Sequence, residues 1–181
     1  MARAADSPIT EIFLDDLEEG LADPVLEVDA SVVEFEDDYF SLIEPAQVRL
    51  NIGRSIETYT FSGSIGCIVS GECCRCLEMI EEPLETDFRL LVQRKQASEE
   101  ELEAMAEEEE VMILDPGTKS LDLKEEIREA LFLALPLRVY CKPDCKGLCA
   151  QCGANLNKSE CHCTEKLDDP RWAALKELKF Q

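Results

Sequence analysis

Histidine is almost absent from this sequence: His162 is the only one among 181 residues. Without a second histidine, nucleophilic catalysis by a Ser–His or Cys–His pair has no general base. Basic residues are scarce as well, 18 Lys and Arg against 40 Asp and Glu, which leaves a net charge of −22. A surface this negative repels phosphate. That argues against nucleic-acid binding through a broad basic face and favours a basic protein partner or plain solvation. Long apolar runs are missing too: the longest, Ala130 to Leu137, is interrupted by Pro136 and far too short to cross a bilayer. Met1 to Asp6 holds one arginine and no apolar core, so no signal peptide is expected and the reading is a soluble, cytoplasmic protein with no membrane partner. The glycines of residues 63–71 do not form a phosphate-cradling loop. The single tryptophan, Trp172, falls on a helical apolar stripe, which points to core packing before ligand binding.

Cysteine, by contrast, is abundant, with ten residues. In a reducing cytosol, clustered thiols read as metal ligands before disulfides. Six of them lie between Cys141 and Cys163: Cys141, Cys145, Cys149, Cys152, Cys161 and Cys163. Cys149-x-x-Cys152-Gly153 has the form of a zinc knuckle, in which the glycine lets the chain turn so that backbone N–H groups face sulfur. Cys161-x-Cys163 lies close enough to complete a tetrahedral four-sulfur site. His162 is either an alternative ligand or an exposed neighbour. Upstream, Cys73-x-x-Cys76 follows a strand pattern, at a turn that can aim two sulfurs at one point. These eight thiols match the number needed by two four-sulfur sites, but one zinc with several free thiols fits equally well, and the spacing does not separate zinc from iron–sulfur ligation. Cys67 and Cys74 are left over, read as buried small hydrophobes. A thiol-redox enzyme or sensor using Cys73 and Cys76 is the alternative function, although this pair does not open a helix as thioredoxin-like motifs do.

The rest of the pattern predicts an α+β fold: a curved, barrel-like antiparallel sheet, one or two packing helices, and a small Cys-rich zinc-binding C-terminal lobe. Period-2 alternation marks strands within Val25 to Phe35, Gln47 to Ile52, Thr58 to Glu72 and Glu85 to Gln93, with Pro83 at the start of the last. Glycines 63, 66 and 71 predict bulges or tight bends. Eight glutamates between Glu99 and Glu110 read as a linker or exposed helix. Val111 to Leu114 reads as a short strand closed by the turn Asp115-Pro116-Gly117. A helix follows, capped by Asp122 and Glu125, with Leu123, Ile127, Ala130, Leu131 and Ala134 on one face and Pro136 at its end. A second helix is expected from Asp169-Pro170, with Trp172, Leu175 and Leu178 as its stripe. The divisions that result are a β-rich domain over 1–94, an acidic linker over 95–110, a strand and helix over 111–140, and the zinc lobe over 141–181. Arg75, Lys142 and Lys146, with Arg138, form a small basic group that could contact RNA or a partner.

Three segments together resemble one family. They are Glu72-Cys73-Cys74-Arg75-Cys76-Leu77, the helix from Asp122 ending in Leu135-Pro136, and the block from Cys145-Lys-Gly-Leu-Cys149 through Cys152-Gly153, Asn155, Asn157 and Cys161-x-Cys163 to Asp169-Pro170-Arg171-Trp172. In this order they resemble the YceD-like large-ribosomal-RNA-subunit accumulation proteins. The resemblance implies a non-enzymatic role in accumulation or processing of large-subunit ribosomal RNA, with a large-subunit assembly intermediate as partner. Combined with the acidity, the expected contact is a basic ribosomal protein, with RNA engaged indirectly or through the small basic group.

Overall fold

The computed structural model describes residues 9–18, 20–96 and 111–163. The acidic run over 97–110 and the helix expected from Asp169 lie outside these residues. Nine strands, one 3-10 turn (Leu14–Asp16) and one α-helix are described: β1 (Glu11–Phe13), β2 (Gly20–Ala22), β3 (Val25–Val28), β4 (Phe40–Leu42), β5 (Ala46–Ser55), β6 (Thr58–Glu72), β7 (Met79–Arg94), β8 (Val111–Leu114), β9 (Ser120–Asp122) and α1 (Lys124–Ala134).

The alternation along β5 and β6 decides the inner face. Ala46, Val48, Leu50 and Ile52 on β5, with Tyr59, Phe61, Ile65 and Val69 on β6, are buried, while intervening polar residues face out. Burying one face of each strand fixes the register, since a one-residue slip would turn every apolar side chain outward. The seven-stranded sheet runs β2-β5-β6-β7-β8, with β3 also on β5 and β4 on β6; β1 and β9 pair separately. The sheet is open rather than barrel-like: among the described residues, β2 and β3 form one edge and β8 the other. Nor is it wholly antiparallel, because β8 runs parallel to β7 through Leu91↔Val111 to Arg94↔Leu114. A parallel pair needs a long crossover, and residues 95–110 supply the length.

The strand glycines make no bulges. Pairing of β6 with β7 continues without interruption from Thr58↔Gln93 to Glu72↔Met79, with no bulge to bend it sharply. Gly63 instead leaves room for the ring of its cross-strand partner Phe88, which a Cβ would strike, and Gly71 does the same for Phe40, whose ring lies 2.7 Å from the position a Cβ would occupy. Gly63→Val should therefore overpack the sheet, costing about 1–3 kcal/mol by thermal denaturation. Pro83 lies inside β7, not at its start. It is opposite Ile68, whose carbonyl accepts from Ile43 N–H, so the missing proline donor breaks no ladder bond.

The strand pattern of Val25 to Phe35 stops at Val28, and the chain turns through bonds from Val32 N to Asp29 O (3.0 Å) and Phe35 N to Ala30 O (2.8 Å). Thr118 N bonds Asp115 O (2.9 Å), closing the expected turn after β8. At the start of α1, Asp122 accepts Lys124 N–H at 3.0 Å, while Glu125 pairs with Arg128 rather than completing a capping box. Leu123, Ile127, Ala130 and Leu131 pack the helix onto the same core as the sheet. The helix stops at Ala134, before Pro136. From there the chain returns to the far end of the β6–β7 hairpin.

Candidate metal centres

The two longest strands end in a four-cysteine problem that the tip of their hairpin solves. Between Glu72 and Met79 the chain turns tightly: Cys73 N bonds Glu78 O, Leu77 N bonds Cys73 O (both 2.9 Å), and Leu77 takes φ +59°. The turn directs Cys73 and Cys76 to one side, both buried. The segment after α1 closes on them. Cys74 N bonds Val139 O (2.9 Å), and Leu148 N bonds Arg75 O (3.0 Å). Gly147, at φ +74°, lets this second chain approach closely, since a Cβ there would sit 3.0 Å from Arg75 O. Cys141 and Cys145 thereby join Cys73 and Cys76, and all four sulfurs lie within 4.8 Å of one another.

Cys149, Cys152, Cys161 and Cys163 form a second group within the same limit. Its frame is local. Cys149 N bonds Ala154 O (2.8 Å), Gly153 N bonds Cys149 O (2.9 Å) with Gly153 at φ +73°, and Ser159 N bonds Asn155 O (3.0 Å). Backbone N–H groups face sulfur here: Gln151 N lies 3.4 Å from Cys149 Sγ and Cys163 N lies 3.3 Å from Cys161 Sγ.

The spacing fits a single ion. A regular tetrahedron with metal–sulfur bonds of about 2.3 Å has sulfurs about 3.8 Å apart. Here Cys73–Cys145 is 3.9 Å and Cys76–Cys141 is 3.6 Å, with Cys152–Cys161 at 3.6 Å and Cys149–Cys161 at 3.2 Å in the second group. Each group could hold a metal ion.

Protonation within each group is uneven. Burial pushes the Cys73 thiol up, but N–H groups of Cys141, Arg75 and Cys76 outweigh it and bring it down to about 6. The N–H groups of Cys152 and Gln151, with the Cys161 thiol, hold Cys149 at about 6. Burial, with the Cys145 and Cys76 sulfurs, pushes Cys141 up to about 12. The Cys161 and Cys152 sulfurs do the same for Cys163, also to about 12. At Cys76 the Glu78 N–H favours the thiolate, but burial and the Cys73 sulfur leave it raised. At Cys161 the Cys163 N–H favours the thiolate, but Cys149 raises it overall.

Three residues outside the expected ligand set support the first group. Asn157 donates to Cys145 Sγ at 3.3 Å and to Asn155 Oδ1 at 3.0 Å, and its own Oδ1 accepts Lys146 N–H at 3.0 Å. Lys158 pairs with Glu78, tying the second loop to the hairpin tip. The Asn155-x-Asn157 spacing was the visible signal for the first; nothing in the sequence marked the ion pair. Asn157→Ala should weaken metal binding by about 10- to 100-fold in chelator competition, as loss of outer contacts to a ligand commonly does.

Arg75 donates to the carbonyls of Pro143 and Cys145, each at 3.1 Å, and its guanidinium lies 4.5 Å from the Tyr140 ring centroid. It is thus engaged in joining the two segments. Lys142, Lys146 and Arg138 are exposed, as is His162. Cys67 is half-buried against the core, and burial pushes its thiol up. Cys74 is exposed, contrary to the buried role expected of it, because the turn that points Cys73 and Cys76 inward turns Cys74 outward. No helix among the described residues is long and apolar enough to cross a membrane.

An open sheet whose longest hairpin shares a four-cysteine group with a downstream knuckle segment defines a cysteine-clasped α+β protein. The sequence profile of the YceD family, described as large ribosomal RNA subunit accumulation protein YceD, matches residues 61–179, and the chain belongs to this family. It is 25% identical over 158 residues to the chloroplastic large ribosomal RNA subunit accumulation protein YCED homolog 1 of Arabidopsis thaliana, covering 76% of this chain and 49% of that protein. An uncharacterized Mycobacterium tuberculosis protein is 35% identical over 130 residues, covering 71% of this chain and 59% of that one. The Zea mays chloroplastic homolog 1 is 27% identical over 142 residues, with 66% and 48% covered. The chain thus spans about half to three-fifths of the length of these relatives. No solved structure matches it.

Proposed function

We propose that the chain is a non-enzymatic cytoplasmic factor that supports accumulation or processing of large-subunit ribosomal RNA, held together by two structural zinc ions. Family membership over residues 61–179 is the observation that carries the ribosomal reading. The zinc reading is supported by the sulfur spacing and by the donor set, four thiolates and no open position, which suits structural rather than catalytic zinc. Sulfurs within 4.8 Å enclose one ion, whereas an iron–sulfur cluster must fit several iron and sulfide atoms between its cysteines. In this reading the Cys-rich segment from Cys141 to Cys163 acts as a lobe clasped to the tip of the β6–β7 hairpin. Burial of Cys73 and Cys76 argues against the redox alternative, since an oxidoreductase thiol must reach its substrate.

The acidity supports action through a basic ribosomal protein, with RNA engaged indirectly. The test is co-sedimentation of the zinc-loaded chain with large-subunit precursors from a depleted strain, together with the level of mature large-subunit RNA. Depletion that leaves that RNA unchanged would remove the reading. Lys142→Glu/Lys146→Glu separates the RNA route from the protein route: co-sedimentation should persist in this variant if RNA is not bound directly. Arg75 is unsuitable for that test because its guanidinium holds the clasp.

A further inference from the structure

Beside the first cysteine group, among the described residues, lies a cleft in which apolar side chains are open beside carboxylates. It has a volume of about 770 Å³ and lies between β4, the end of β6 and the segment that leaves α1. Its apolar surface includes Tyr39, Met79, Phe132 and Leu137, of which Tyr39 is 78% exposed, Met79 61% and Leu137 100%. Exposed large side chains grouped at a concavity mark interaction sites more often than isolated ones do.

The rim gives the sign of the partner. Asp37, Asp38 and Glu72 line the cleft against one cation, Arg138. Phe132 is shared with an adjoining depression lined by Glu36, Glu125, Glu129 and Arg128. Arg128 is engaged there, 3.5 Å from Glu125 and 5.3 Å from the Phe132 ring centroid. Among the described residues, the carboxylates of Glu36, Asp38, Glu72 and Glu129 take part in no ion pair. An apolar floor bordered by unneutralised carboxylates repels phosphate and attracts cations.

We infer that this cleft docks a short basic segment of a partner protein, one in which leucine or aromatic side chains fill the floor while Lys and Arg meet the rim. The inference rests on the reading of the chain as acting through a basic protein, and it names the surface used. Specificity comes from the floor, since exposed carboxylates alone attract any cation and are screened by salt. The aromatic and aliphatic side chains supply the central contacts that dominate binding energy.

The probe is a fluorescein-labelled peptide repeating Lys-Leu-Arg-Phe, compared by anisotropy with one repeating Lys-Ser-Arg-Ser, each titrated with the full zinc-loaded chain at physiological salt. The first should bind at least about tenfold more tightly. Tyr39→Ser/Leu137→Ser, which leaves the charge unchanged, should abolish that difference, and Asp38→Asn/Glu72→Gln should weaken both peptides. Should the double apolar variant fail to fold, Leu137→Ser alone serves, because its side chain is fully exposed. Equal binding of the two peptides overturns the inference, as does binding unaffected by Leu137→Ser. A single-stranded RNA oligonucleotide that binds more tightly and is displaced by Leu137→Ser would instead make this an RNA surface. A wild-type dimer broken by Leu137→Ser would assign the cleft to a second copy. A red shift of Trp172 emission in the peptide-free variant would assign it to the chain's own C-terminal residues. If precursors of the large subunit still co-sediment with Leu137→Ser while the peptide does not bind, the cleft alone is wrong. If they do not co-sediment with the wild-type chain, the parent reading falls.

Discussion

On the proposed two-zinc reading, Cys76→Ser should cost the protein one of two zinc ions and lower its Tm by roughly 10 °C or more, whereas Cys152→Ser should cost the other ion and shift the main transition by only about 2 °C. The contrast follows from what each group joins. Cys73, Cys76 and Cys145 are buried, and with Cys141 they fasten the tip of the β6–β7 hairpin to the segment that follows α1. Without a complete ligand set, the thiols that remain are left in an interface built around an ion, and the folding energy supplied by that ion is lost. In the second group, Cys152 and Cys163 are exposed and the frame consists of local turns, so its loss frays a loop without opening the core. Elemental analysis with calorimetry of the two variants checks both halves. Equal Tm losses, or simultaneous loss of both ions from Cys152→Ser, would show that the groups are not independent and sink the assignment of the first as the principal clasp.

The apparent zinc affinity of each group should fall by at least about two decades for every pH unit between about 9 and 6, and more steeply below that. Thiols must ionise to bind, so protons compete with the metal. Before binding, Cys76 and Cys141 in the first group are raised, Cys141 to about 12, and each holds a proton that zinc must displace. Cys161 and Cys163 play the same part in the second, with Cys163 at about 12. Cys73 and Cys149, held at about 6, are already ionised at neutral pH and add a further proton only below that value. The lowered thiols act in the same direction on stability: their contribution is full above their ordinary value of 9.0 and is lost as the pH falls through about 6. Competition against a zinc chelator at stepped pH reads the slope. A slope near zero would mean that the sulfurs are ionised or metal-bound in some other way than the geometry implies.

Much of this was legible in the residues. The alternation of β5 and β6 and the α1 stripe were readable because each buries one face, and burial imposes its period on sequence. The local group could be anticipated as well, since Cys149, Cys152, Cys161 and Cys163 lie within one short stretch. The partnership of Cys73 and Cys76 with Cys141 and Cys145 could not be read, because no local pattern records which distant segments a fold brings together. Strand glycines were misleading for a similar reason. Gly63 answers to Phe88 on the neighbouring strand, and its own neighbours in sequence say nothing of that ring. The parallel β8 was hidden too, because a short apolar run reads the same in either direction. Arg75 looked like a free cation beside a cysteine motif until its carbonyl partners were seen to come from the segment around Pro143 and Cys145.

The first cysteine group also sets an order on biosynthesis. Cys76 and Cys141 are 65 residues apart, whereas Cys149 and Cys161 are separated by 12. At translation rates of about 5–20 residues per second, the hairpin tip leaves the ribosome roughly 3–13 s before the thiols that complete its site. During that interval Cys73 and Cys76 are a bare dithiol, open to oxidants and stray metals, while the four ligands of the later group are all made within about 1–3 s of one another. A nascent chain starved of zinc or made under oxidative stress would therefore be compromised at its first two ligands, well before the lobe that completes the site has been synthesised.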